Sequence, residues 1–453
     1  MSDRRFAVAI DFGSTFTKVC VADLRERRFI AAAAHPTTGA DLRDGFRRAL
    51  EHLEGENLLS DAYVVACSSA GGGLRITVAG LEDDLTVRAG RYAAMSAGAR
   101  VVQTVSGGVD PAAVAAADPD LIVLTGGLDG GDEECLVGNA RALAASDLRV
   151  PVVIAGNAAA AGRAADALAR TDLAVTVSPN VMPSAGVLNV APARARIREI
   201  FIRHVIGGRQ VNGSSELREM IRMATPDAVL LGTEILAESW CRDIVVLDVG
   251  GATTDVHSCV RTPMGRHGAG VRLTPEPPAS RTVEADLGVW SNAESLVSAA
   301  GRDGLLTAER AAGISALLPR RFSDSGDGQP DDLELATLAC HLAVRRHAGR
   351  LRTRVGRDGV VVESEGKDLR SVSAAVGTGG VFRRADPRLA GDALRAAAHR
   401  GSAGERRLLP GAVEPAVDGG YALGACGLIS TIDRALATQL LAEAIPKPEP
   451  AGP

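Results

Sequence analysis

Lysine is almost missing from this chain. Among its 50 basic residues only Lys18, Lys367 and Lys447 are lysines, so arginine carries nearly all the positive charge. That bias fits genome composition better than function. The formal net charge of −5 gives no reason to expect nucleic acid or an acidic membrane surface as a partner. The seven cysteines include no pair at CxxC spacing. This argues against a disulfide framework or a zinc site and fits free thiols in a reducing cytosol. No apolar signal core opens the chain, because Ile10-Asp11 arrives too soon. The longest uncharged run, 173–193, holds Pro179, Pro183, Pro192 and two Asn, and would make a poor membrane span. We expect a cytoplasmic protein.

Two common nucleotide signatures are also lacking. Gly366-Lys367-Asp368 has neither the Ser/Thr nor the upstream Gly of a P-loop, and there is no GxGxxG. His341 and His347 are six apart, so a helix does not stack them as metal ligands.

What the chain has is length and two matching loops. Its 453 residues suggest two to four domains, with 46% hydrophobic and 23% charged residues, ordinary for a globular protein. Phe6–Ile10, Phe16–Ala22 and Phe29–His35 read as an antiparallel meander. Its first turn is Asp11-Phe12-Gly13-Ser14-Thr15-Phe16-Thr17-Lys18. Far along the chain the idea repeats as Asp248-Val249-Gly250-Gly251-Ala252-Thr253-Thr254-Asp255, between the apolar strand Ile244–Leu247 and a return strand Val256–Val260.

Magnesium triphosphate needs backbone N–H groups that approach closely, hydroxyl donors, and carboxylates that hold the metal through its waters. Gly13, Ser14, Thr15 and Thr17 offer the first two in one loop, and Gly250, Gly251, Thr253 and Thr254 in the other. Asp11 and Asp248 precede the turns at matching positions and could share one hydrated Mg²⁺. Lys18 could reach phosphate as a point charge. One such hairpin is commonly only a hairpin whose aspartate favours the turn; two argue for a cleft.

Between the loops a helix is expected over 41–53. Ala62–Ala66 reads as a strand leading to Cys67-Ser68-Ser69-Ala70-Gly71-Gly72-Gly73, before a strand at Leu74–Ala79. From about residue 100 apolar strands (Val101–Val105, Leu121–Leu124, Val152–Ile154, Ala174–Val177) alternate with Ala-rich helices (Pro111–Ala117, Glu133–Ser146, Ala158–Arg170), predicting a parallel sheet covered by helices. Helices are expected at Ile197–Val205, Ser215–Met223, Ala293–Ala300, Thr307–Leu318, Leu333–Ala348 and Tyr421–Leu436. A polar loop is expected at Ser323–Asp332, and a strand at Val372–Val376 feeding Gly377-Thr378-Gly379-Gly380.

The three signatures, Asp11 to Lys18, Asp248 to Asp255 and Val376 to Phe382, resemble those of the actin/sugar-kinase/heat-shock chaperone ATPase superfamily. That resemblance implies two ribonuclease-H-like lobes with Mg²⁺ and ATP in the cleft. By position, Asp11 and Asp248 become the metal-proximal carboxylates, Asp255 matches the acidic end of the second loop, and Gly377, Thr378, Gly379 and Gly380 contact adenosine. Longer strings (67–73, Asn180-Val181-Met182-Pro183, Gly186-Val187-Leu188-Asn189, 248–258, Arg281-Thr282-Val283-Glu284 with Asp286-Leu287-Gly288) resemble the glutamate mutase accessory protein family of MutL type, nearly end to end. Three consecutive glycines at 71–73 depart from it, where Ala is expected at one position.

The family resemblance implies an ATP-dependent reactivating chaperone for adenosylcobalamin-dependent mutases, exchanging spent for intact cofactor. We expect slow Mg²⁺-dependent ATP hydrolysis with Asp11, Asp248 and Asp255 as catalytic carboxylates, the general base being Asp248 or Asp255. The expected organisation is an α/β fold with an N-terminal lobe at 1–99, an inserted parallel β-α domain at 100–190 and a helical connection at 191–243. A C-terminal lobe at 244–440 and a tail at 441–453 complete it. The insert resembles the core of cobalamin-binding domains without their DxHxxG signature, so we expect it to dock on the mutase and bind no cobalamin itself. The partners implied are mutase subunits, with no nucleic acid or membrane, and a homodimer is left open. The same fold also serves small-molecule kinases, iron-sulfur activators of radical dehydratases, whose clustered cysteines are lacking here, and nucleotide-binding proteins without turnover.

Overall fold

The computed structural model describes residues 4–13, 16–36, 61–68, 74–97, 99–169, 171–207, 220–261, 271–273, 276–321, 330–356, 359–398 and 406–449. Ser14, Thr15, the helix expected at 41–53, the glycine turn at 69–73 and most of the loop expected at 323–332 lie outside them.

The chain begins with β1 (Phe6–Phe12), β2 (Phe16–Asp23) and β3 (Arg28–Pro36), the antiparallel meander expected from their apolar runs. β4 (Ala62–Ser68) then pairs parallel with β1. Next the chain builds a separate sheet from β5 (Arg75–Gly80), β6 (Arg100–Ser106), β7 (Leu121–Leu124), β8 (Val152–Ile154) and β9 (Val175–Val177). It returns as β10 (Ile221–Ala224), parallel to β4. The first sheet is thus ordered β10-β4-β1-β2-β3.

The second half repeats this plan with β11 (Ile244–Val249), β12 (Thr254–Cys259), β14 (Ala279–Glu284), β17 (Ala374–Thr378) and β18 (Glu414–Val417), ordered β14-β12-β11-β17-β18. In each sheet the first three strands run antiparallel in turn and the last two join parallel on the other side of the first. Order and direction match strand for strand, so β1 corresponds to β11, β4 to β17 and β10 to β18. β13 (Val271–Leu273), β15 (Arg350–Gly356) and β16 (Gly359–Glu365) form a small side sheet.

Side chains that alternate along β1 and β11 explain how the halves meet. Val8, Ile10 and Phe12 enter one core, and Val245, Leu247 and Val249 another. The opposite faces, Ala7 and Ala9 with Ile244 and Val246, share a core with the helices Thr225–Trp240 and Ala422–Ile429. These helices follow β10 and β18, so they are also equivalent. They touch backbone to backbone: a Cβ on Gly232 would lie 2.1 Å from the Leu423 carbonyl oxygen, and one on Gly427 1.9 Å from that of Ala228.

The inserted sheet is ordered β6-β5-β7-β8-β9, all parallel. Its central strands are buried on both faces, as parallel strands under two helical layers must be. This is a doubly wound order, 2-1-3-4-5. Three expectations change. β5 heads this sheet, so the parallel layer starts before residue 100. Ile221–Met223 is strand rather than helix. The helix expected over 421–436 is two, Ala422–Ile429 and Arg434–Ala444, the second capped by Asp433 accepting from the Leu436 N–H at 3.0 Å.

Candidate functional site between the lobes

Strand register puts both expected aspartates at the ends of equivalent strands. Asp11 faces Lys18 across the first hairpin and Asp248 faces Asp255 across the second. The turns close alike, Gly13 N–H to the Phe16 carbonyl at 3.1 Å and Gly250 N–H to that of Thr253 at 2.9 Å. A Cβ at Gly13 would lie 2.5 Å from the Phe16 carbonyl oxygen, which is why glycine is needed there.

Both aspartates line one cavity, with Lys18, Cys20, Cys67, Thr225, Thr378, Asp418 and Tyr421. Its volume of about 30 Å³ holds a water rather than a nucleotide. The Asp11 carboxylate accepts from Lys18 Nζ at 3.1 Å and Thr225 Oγ1 at 2.5 Å, with the Cys67 thiol at 3.5 Å. Lys18 also stands 4.9 Å above the Tyr421 ring, and the Arg383 guanidinium lies 5.0 Å from it.

Burial alone would lower the Lys18 ammonium, but Asp11 and Asp248 hold it well above its ordinary value. Burial pushes the Asp248 carboxyl up, against the pull of Lys18 and with help from Asp11 and Asp418. Asp418 is likewise raised by burial, opposed by the N–H groups of Leu423, Ala422 and Gly420, which it caps at 3.0, 2.8 and 3.3 Å. Three carboxylates thus face one ammonium.

That excess of negative charge fits a hydrated Mg²⁺ held through water by Asp11 and Asp248. Among the described residues no three His, Cys, Asp or Glu side chains converge to hold an ion by themselves, so such an ion would need phosphate oxygens and water to complete its shell.

The remaining expected residues separate into groups. Gly251 and Gly250 accept through their carbonyls from Trp290, Ser291 and Val289 N–H groups. Asn292 Nδ2 donates to the Ala252 carbonyl at 2.7 Å, so the 285–292 segment clasps the second hairpin. This gives the Asp286-Leu287-Gly288 string its place; a Cβ on Gly288 would strike Ala252 at 2.3 Å. Thr254 spends its hydroxyl on the Leu287 carbonyl at 2.7 Å, and Thr17 is fully buried, whereas Thr253 stands at the turn. Glu284 and Asp286 are both paired to Arg346.

Gly377 and Thr378 end β17, with the Phe382 ring packed on Gly377. Gly379, at φ +103°, lies against the Val249 carbonyl, so the third loop touches the second hairpin before Gly380 opens a short helix. Asp255 does not line the cavity. It is buried, with one carboxylate oxygen unpartnered. Burial pushes it up to about 7, Arg281 opposing and Asp248 and Glu284 adding to the rise.

Thr225, Asp418, Tyr421 and Cys67 were not singled out from sequence as cavity residues. Each ends or follows a strand equivalent to β4 or β10, and the Asp418-Gly419-Gly420 turn before an apolar helix was the available signal.

Two equivalent sheets meeting over paired helices and paired aspartates define the class, a two-lobed α/β fold of the actin/sugar-kinase/heat-shock chaperone ATPase type. The family model described as MutL protein matches residues 7–445. Protein MutL of Clostridium tetanomorphum is 34% identical over 442 residues, covering 93% of this chain and 95% of its own. The chain belongs to the MutL family of glutamate mutase accessory proteins.

Among solved structures, a nucleotide-free acetone carboxylase matches at 14% identity and TM-score 0.38, over 94% of this chain and 70% of its own. The 2-hydroxyisocaproyl-CoA dehydratase activator of Clostridium difficile with bound ADPNP matches at 9% and 0.32, over 97% and 95%. A glycerol dehydratase reactivase matches at 10% and 0.33, over 95% and 100%. These overlays are too loose to speak for a function. Among the described residues no helix is long and apolar enough to cross a membrane.

Proposed function

We propose that this chain is an ATP-dependent reactivating chaperone for an adenosylcobalamin-dependent mutase such as glutamate (methylaspartate) mutase. ATP binding and slow hydrolysis would switch lobe closure and let damaged cobalamin exchange. The observation that carries this reading is the convergence of Asp11, Lys18 and Asp248, from equivalent hairpins of opposite lobes, on one cavity. Family membership supports the mutase as partner. Magnesium, when bound, would neutralise phosphate charge between the lobes. Asp11 and Asp248 would hold its waters, Lys18 would offer its ammonium to phosphate, and the glycines of both turns would let backbone N–H groups approach.

Asp248 is the better placed carboxylate to orient a water, since it lines the cavity and Asp255 does not. Moving a two-state element from mostly open to mostly closed takes about 5.5 kcal/mol of differential affinity, which a γ-phosphate gripped from both sides can supply. The inserted β5–β9 domain is proposed as the part that docks on the mutase. ATP hydrolysis by the purified chain, with and without an inactivated mutase, tests the reading. Stimulation by the mutase is expected; phosphoryl transfer to a small acceptor would favour a kinase, and tight binding with no turnover a simple nucleotide-binding partner protein.

A further inference from the structure

Behind the cavity the lobes share a buried polar cluster that the reading above leaves unused. Asp255 and His257 project from β12, Arg281 from β14, Asp227 from the first turn of the Thr225–Trp240 helix, and Arg198 from the Val190–Gly207 helix that follows the inserted sheet. Asp227 and His257 are fully buried, Arg281 is 5% exposed and Asp255 8%. Arg198 Nε bonds Asp227 Oδ2 at 2.7 Å. Unpartnered atoms remain on every member: Arg198 Nη2, Asp227 Oδ1, Asp255 Oδ1, Arg281 Nη1 and both ring nitrogens of His257. Arg281 is the cross-strand partner of His257, two residues along from Asp255; burial works against its charge, Asp255 and Asp227 support it and Arg198 opposes it.

Buried charges left half paired are costly, and a second arrangement of the same groups that pairs them would offset that cost. The leftover groups are matched, two guanidinium nitrogens against two carboxylate oxygens, and Arg281 is bonded to neither carboxylate here, so a small shift could pair it with one or the other. The ends of the cluster are anchored at the right places. Asp255 is the register partner of Asp248. Asp227 follows Thr225, whose hydroxyl holds Asp11, by two residues. Arg198 lies one turn from Arg194, which pairs with Glu234 at 3.2 Å, so the 190–207 helix grips the inter-lobe helix twice. Ala193, Ile197 and Phe201 of that helix pack in the core of the inserted sheet, so it belongs to the insert rather than to a separate connection.

We propose that Arg281 is a positioning residue that relays the state of the nucleotide site, through Asp255, Asp227 and Arg198, to the Val190–Gly207 helix of the insert. The relay rests on the nucleotide reading. It gives that reading an output: lobe closure at Asp248 brings Arg281 into pairing with a carboxylate, and the helix at 190–207 is gripped more tightly as the cluster closes. The competing account is a static cluster whose orphans are bridged by buried waters.

Hydrogen exchange of the full chain with and without Mg-AMP-PNP separates them. In the parent, nucleotide should slow exchange across 190–207 by about fivefold or more, the range of ordinary allosteric coupling. In Arg281→Met that response should vanish while nucleotide affinity changes by less than about threefold, and Arg281→Lys should restore part of it. A response of parental size in Arg281→Met overturns the relay, as does loss of nucleotide binding, which would make Arg281 part of the nucleotide site. If Arg281→Met does not fold, Arg198→Gln reads the same link from the insert side: lost response with retained binding supports the relay, and an unchanged response overturns it. A parent that binds no nucleotide overturns both the nucleotide reading and the relay.

Discussion

Asp11 and Asp248 occupy equivalent positions but different surroundings. Asp11 is satisfied by Lys18, Thr225 and Cys67, whereas Asp248 is held up by burial with no gain from such a set. We therefore expect Asp248→Asn to lower ATP hydrolysis by at least about 10²-fold, the cost of losing one transition-state contact. The variant should fold at least as stably as the parent, since it removes a half-buried charge. Phosphate release and urea denaturation on the same preparation check both; unchanged hydrolysis would remove Asp248 from the site.

Asp255 carries a pH signature. Its carboxyl, ordinarily near 3.8, is raised to about 7 in the fold, facing Arg281, Asp248 and Glu284. Below the unfolded value both states hold the proton and the contribution is fully present. Between there and about 7 only the folded chain holds it, so stability is lost as pH rises through that window and is flat above. The stability difference between parent and Asp255→Asn should follow that curve in denaturation midpoints at pH 4.5, 6 and 7.5. A constant difference would contradict the buried placement.

At the scale of elements, the hairpins were legible because short continuous apolar runs and a Gly-rich turn are local signals. The cavity was only half legible. Asp11 and Asp248 announce themselves by repetition, but Thr225 reaches Asp11 across 214 residues, a separation no pattern encodes. Ile221-Arg222-Met223 is too short to distinguish a strand from a helix end, and only pairing with β4 decides it. The break at 430–433 did have a signal, Asp433 as N-cap, hidden among residues that all favour helix.

The inter-lobe helices supply a sharper test. Gly427→Ala would put a Cβ 1.9 Å from the Ala228 carbonyl oxygen and should cost roughly 1–3 kcal/mol. Gly424→Ala meets only Val229 Cγ2 at 3.8 Å and should be neutral or stabilising by up to about 1 kcal/mol. Equal denaturation midpoints for the two would argue against close helix contact. Trp290, 37% exposed and bonded through its backbone N–H to the Gly251 carbonyl, reports on the second hairpin, whereas Trp240 is buried. Its emission should shift on adding Mg-ATP, and Trp290→Phe should abolish the shift; a signal that persists belongs elsewhere.

For the whole molecule, the sequence suggested two lobes because it carries two hairpins, and the matching strand orders make the duplication explicit. What it hid is where the inserted sheet begins. β5 follows a lobe strand directly and looks like part of it, yet it heads the parallel sheet, since membership is set by neighbours 25 to 45 residues later. The same arrangement gives the molecule its logic: a proposed nucleotide site at the inter-lobe cavity, a buried charge cluster beyond it, and a helix after the inserted sheet tied to the inter-lobe helix by two ion pairs.

The central claim is that nucleotide drives the recovery of a damaged mutase. The direct measurement is the activity of an inactivated adenosylcobalamin-dependent mutase after mixing with this chain, fresh cofactor and Mg-ATP. The account predicts activity returning with ATP, and neither without nucleotide nor with Asp248→Asn. Recovery that is equal with and without ATP, or that Asp248→Asn supports as well as the parent, would contradict it.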